Sequence, residues 1–158
     1  MKLKLAVFIC AFVLTISCKD DGQDQDNISD SKVEKNIKPT LKGTWELVGF
    51  YNYKDNEVVD SFTTDPNFRQ LKIYTDKKVM WCKYRPADSS EWFGYGSYKF
   101  NDNELTEVLD FGSRVMNEVI EENKEFIFDL KLEKNRFEQI ELGENGNRIY
   151  SENYKRIE

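Results

Sequence analysis

The segment Phe126-Ile127-Phe128-Asp129-Leu130-Lys131-Leu132-Glu133 decides the fold. Phe126, Phe128, Leu130 and Leu132 fall on every second position, and Asp129, Lys131 and Glu133 fill the alternate ones. Successive side chains of an extended strand point to opposite faces, so this spacing makes one apolar face and one wetted face. A helix would need its apolar residues three and four apart. The segment is therefore a half-buried β-strand.

The same period spreads outward from it. Leu71 and Ile73 share a face, as do Leu105, Leu109 and Phe111. Turn formers separate the runs: Thr75-Asp76-Lys77-Lys78, Asn101-Asp102-Asn103, Glu133-Lys134-Asn135 and Glu144-Asn145-Gly146-Asn147, of which Asn-Gly is the strongest hairpin signal. Strands are predicted near 43–52, 57–63, 68–75, 78–84, 93–101, 104–111, 125–133, 136–142 and 147–156. Short strands joined by tight turns imply an all-β antiparallel meander of about eight to nine strands, closed as an up-and-down barrel or packed as a sandwich. Gly94 and Gly96 favour closure, because a glycine pair on the face of Tyr98 and Phe100 lets a strand coil sharply. Val115, Met116, Val119 and Ile120 have helical spacing and predict a short helix near 113–121.

The chain of 158 residues has room for one such domain, and its 14% aromatic content is too high for a disordered polymer. A formal charge of −6 lacks the basic footprint of a nucleic-acid binder and favours a soluble monomer. Histidine is absent, which excludes Ser–His–acid and Cys–His catalysis and His-ligated metal. No acid pair stands out for glycan chemistry, so neither an enzyme nor a cofactor or metal site is expected. Of three cysteines, Cys10 lies in an apolar leader, and Cys82 reads as a small buried apolar residue.

The first forty residues are organised differently. Lys2 and Lys4 precede the apolar run Leu5–Leu14, which is shorter than the ~20 residues of a membrane-spanning helix and suits a signal peptide over 1–17. Leu14-Thr15-Ile16-Ser17-Cys18 resembles the lipobox of bacterial lipoproteins. That resemblance implies a diacylglycerol on the Cys18 thiol, cleavage before Cys18, and an acyl chain such as palmitate on the new amine. Two or more chains hold stably to a bilayer, whereas one does not. Lys19-Asp20-Asp21-Gly22-Gln23-Asp24-Gln25-Asp26 resembles an export signal for lipoproteins of the outer membrane in didermal bacteria, and reads equally as a solvated acidic spacer. Residues 18–40 then form the lipidated, flexible linker and residues 41–158 the domain. The membrane, reached through Cys18, is the one firm partner.

Leu41-Lys42-Gly43-Thr44-Trp45-Glu46-Leu47 is similar to the Gly-x-Trp opening of the lipocalins, and closest to the bacterial lipocalin-like lipoproteins that open with Gly-Thr-Trp. The resemblance implies an eight-stranded barrel closed at one end by Gly43 and Trp45, with a late basic residue across the indole. Arg156 is the candidate, with Arg148 second. It also implies a lumen for a small hydrophobic or aromatic ligand. Trp81, Tyr84, Trp92, Tyr95 and Tyr98 crowd into two neighbouring strands and are the candidate ligand-binding residues, although ordinary barrel filling would use the same residues. Trp81 and Lys83 share one face of their strand, and Met80, Cys82 and Tyr84 the other. The sequence leaves open which face looks inward. The competing expectation is a protein- or carbohydrate-interaction module with a filled barrel.

Overall fold

The computed structural model describes residues 38–87 and 91–158. The leader, the lipobox with Cys18 and nearly all of the linker lie outside the described residues. The domain is an antiparallel barrel built from β1 (Gly43–Lys54), β2 (Glu57–Phe62), β3 (Arg69–Tyr74), β4 (Lys78–Tyr84), β5 (Trp92–Phe100), β6 (Glu104–Gly112), α1 (Arg114–Glu122), β7 (Glu125–Leu132), β8 (Arg136–Leu142) and β9 (Arg148–Arg156). The predicted strands and helix all form, with ends shifted by a residue or two.

The sheet runs β2-β1-β3-β4-β5-β6-β7-β8-β9, and β9 returns to pair with β1. Eight strands therefore close the wall and β2 hangs outside it, paired only with β1. Closure leaves the eight without free edges. The β1–β2 hairpin turns on Asp55 and Asn56, both at positive φ (52° and 66°), the two-residue turn whose twist matches that of the strands. Polar turn residues close the other hairpins: the Asn101 carboxamide accepts from the backbone N–H of Asn103 and Glu104, and Gly146 sits at φ 77° between β8 and β9. Ser113 caps α1 by accepting from the Met116 N–H.

The main core gathers at one end of the barrel: Leu41, Trp45, Leu47, Tyr74, Val79, Leu105, Phe128, Leu130, Phe137 and Tyr154. A smaller cluster of Trp81, Leu109 and Met116 lies towards the other end, where α1 packs on β5 and β6. Among the described residues, the closed sheet and both core clusters lie within one compact unit.

Three strands depart from the expectation that their apolar residues face inward together. On β3 the interior side chains are Gln70, Lys72 and Tyr74, whereas Leu71 and Ile73 look outward. Cys82 is exposed beside Met80 and Tyr84 rather than buried, because Val79, Trp81 and Lys83 take the inner face of β4. Phe111 does not share the face of Leu109. The ladder slips between Tyr95 and Gly96, where Asp110 is an extra residue on β6, and this β-bulge turns Phe111 outward, 52% exposed, against Tyr95.

Candidate functional site

One end of the barrel is sealed. Trp45 is fully buried, donates its indole N–H to the Leu41 carbonyl at 2.6 Å and meets Phe137 edge-on at 4.8 Å. The Arg156 guanidinium lies 4.0 Å from the Trp45 ring centre and donates to the carbonyls of Thr40, Lys42 and Lys134. Gly43, at φ 130°, is packed so closely against Arg156 and the Glu158 carbonyl that a Cβ would not fit. Arg148 lies elsewhere, over the Tyr53 ring.

The opposite end holds a cavity of about 210 Å³. Its apolar wall is Trp81, Trp92, Leu109, Met116, Val119, Phe126 and Phe128, with Met116 and Val119 supplied by α1. Gly94 permits this wall: the Trp81 indole lies 2.9 Å from where a Cβ would stand, so no larger residue fits behind the ring.

The cavity floor is charged. Lys72 Nζ donates to both oxygens of Glu107 (2.9 and 3.0 Å) and to Gln139 Oε1 (2.7 Å). Tyr74 donates to Glu107 Oε1 at 2.5 Å. Glu152 accepts from Gln70 (3.1 Å), Gln139 (2.8 Å) and the Tyr154 hydroxyl (2.7 Å), and Gln70 also donates to that hydroxyl. Among the described residues no buried side-chain N or O lacks a partner, the condition under which charge is tolerated inside a protein. Burial, reinforced by Glu107, pushes the Tyr74 phenol well above its ordinary value, and burial with Glu152 does the same for Tyr154. Both phenols stay protonated and serve as donors.

Lys83 is different. It lines the cavity, partly buried, with Nζ 5.6 Å from the ring centres of both Trp81 and Trp92. Among the described residues it forms neither a hydrogen bond nor an ion pair. Burial lowers its pKa from the usual lysine value.

Of the aromatic residues singled out from sequence, the structure brings Trp81 and Trp92 together on the cavity wall. The other three lie off it. Tyr84 is 57% exposed on the outer face of β4, and Tyr95 packs outside against the tilted ring of Phe111. Tyr98 packs on Tyr74 towards the sealed end and donates to the Thr75 carbonyl. Sequence reasoning missed Gln70, Lys72, Glu107, Gln139 and Glu152, although one signal was present. Trp45 pairs with Lys72, Lys72 with Trp81, and Trp81 with Gly94, so once Trp45 points inward the register carries Lys72 inward with it.

The architecture is that of a lipocalin-like barrel. A solved lipocalin-like protein from Bacteroides uniformis superposes with a TM-score of 0.52 at 10% identity, covering 74% of this chain and 98% of that one. A solved uncharacterized protein from Bacteroides eggerthii gives 0.48 at 16% identity, covering 74% and 99%. The sequence matches no protein-family model and no curated protein.

Proposed function

We propose that the protein is a membrane-anchored lipoprotein whose barrel binds a small molecule at its open end. The cavity carries this reading: about 210 Å³ between two tryptophans, opposite an end closed by Trp45. An apolar cavity of ~150 Å³ already admits benzene, while drug-sized ligands use ~300 Å³ or more. The ligand is therefore about one ring or a short chain in size. Both cavity carboxylates are fully engaged by donors, which supports binding rather than catalysis. Native mass spectrometry of the chain from Lys19 onward tests the reading: a stoichiometric adduct lost on unfolding is expected, and a bare mass before and after incubation with aromatic metabolites contradicts it.

The anchoring half rests on the leader and lipobox. Cys18→Ala is expected to leave an unprocessed, unlipidated precursor, and normal acylation of that variant would end the claim. The intended location is the outer membrane of a didermal bacterium. A second reading, an interaction module, is favoured by the apolar outer face of β3–β6, where Ile73, Met80, Tyr84 and Phe111 are exposed. It predicts that Met80→Glu abolishes a pull-down partner and leaves the cavity unchanged.

A further inference from the structure

We propose that the cavity selects an organic anion, a small carboxylate with an aromatic body, and that Lys83 is its counter-ion. The inference rests on the binding function proposed above and names the ligand class for that site.

Lys72 spends its three N–H groups on Glu107 and Gln139. Glu107 accepts from Lys72 and Tyr74, and Glu152 from Gln70, Gln139 and Tyr154, so each carboxylate oxygen has a donor. A cationic ligand would have to displace these internal bonds. Among the described residues the uncommitted donors on the wall are the Lys83 ammonium and the indole N–H groups of Trp81 and Trp92, beside one neutral acceptor, Gln70 Oε1. A wall whose uncommitted groups are mostly donors, and whose one uncommitted full charge is positive, is complementary to a ligand with acceptors and negative charge.

Placement supplies the rest. Lys83 Nζ stands 5.6 Å from each of the two indole centres, and each indole contributes an apolar face to the same cavity. A carboxylate bound at Nζ leaves its ring between Trp81, Trp92, Leu109, Met116 and Phe126. The volume equals about seven waters' share of liquid, room for one ring and a carboxylate. The lowered pKa of Lys83 agrees: a desolvated ammonium with no ion pair among the described residues is what an incoming anion would relieve.

Phenylacetate and its neutral isostere phenylacetamide are the probes, titrated into the chain from Lys19 onward and followed by calorimetry and tryptophan fluorescence. Wild type is expected to prefer the anion by about tenfold or more, a charge-assisted bond being worth at least that factor. Lys83→Met should erase the preference, and Lys83→Arg should keep it, with near-ultraviolet circular dichroism showing both variants folded. Equal binding of the two probes to wild type, or an unchanged preference in Lys83→Met, overturns the anion inference and leaves the binding function standing. A chain that binds neither probe and carries no native adduct overturns both.

Discussion

Lys72 Nζ lies 2.9 Å from Glu107 Oε1 inside the barrel, and both side chains are 3% exposed. Two strands separate β3 from β6 in the wall, so this pair ties sides of the barrel that no backbone ladder joins. Removing one member of a buried pair leaves a naked charge, which costs far more than the pair itself is worth. Lys72→Met is expected to lower stability by about 3–5 kcal/mol. Adding Glu107→Gln should recover more than half of that loss. Urea midpoints at constant m-value measure both, and additive losses would contradict the coupling.

Lys83→Met should make the ligand-free protein more stable at neutral pH, because it removes a desolvated cation. The folded-state pKa of Lys83 is depressed by burial, and by Lys72 and Arg85, with Glu152 opposing. Below that pKa the folded protein carries the full cost of the buried ammonium. As pH climbs from there past the ordinary lysine value of 10.5, the cost disappears, so the advantage of the variant should shrink across that window. Thermal melts of both proteins from pH 7 upward check the sign. The raised phenols of Tyr74, Tyr150 and Tyr154 are common to both proteins and cancel in the difference.

At the sealed end, Arg156→Ala removes a cation–π contact and the donors to three carbonyls. A loss of about 2–3 kcal/mol is expected. Arg156→Lys should restore less than half, since one ammonium cannot lie flat on the indole and reach three carbonyls together. Chemical denaturation of the three proteins is the measurement, and equivalence of Lys and Arg would refute the geometry.

Gly96→Ala should be as damaging as a core truncation. Its Cβ would stand 2.0 Å from the Val108 carbonyl oxygen and 2.7 Å from Leu109 Cα, both backbone atoms of β6. Neither can swing aside, so the β5–β6 ladder must part, at a cost of about 3 kcal/mol. Amide exchange should quicken along β5 and β6 first. Unchanged protection there would show that the slip absorbs the methyl.

Much of the wall was legible because alternation is a local signal. The strand from Glu125 to Leu132 announces itself, and so does the helix through Met116 and Val119. The inner face of β3 was not legible. Gln70 and Lys72 look like surface residues until their partners Glu152, Gln139 and Glu107, between 35 and 82 residues away along the chain, are brought to them. Long-range charge compensation leaves no periodic trace. The site was half readable for the same reason: Trp81 and Trp92 stand out by size, whereas Lys83 becomes notable only when the closed barrel leaves it with no ion-pair partner among the described residues. Tyr84 and Tyr95 have the same chemistry as lining residues and the wrong parity, which sequence alone left undecided.

The extra residue at Asp110 has a further outcome. A ladder that kept count through β6 would set Phe111 opposite Gly94, with its ring thrust among Trp81, Leu109 and Met116. Instead Gly112 takes that place and the phenyl group is spent on the outside. The hollow in this barrel is thus the negative imprint of one displaced phenylalanine, made by a single miscounted peptide in the backbone.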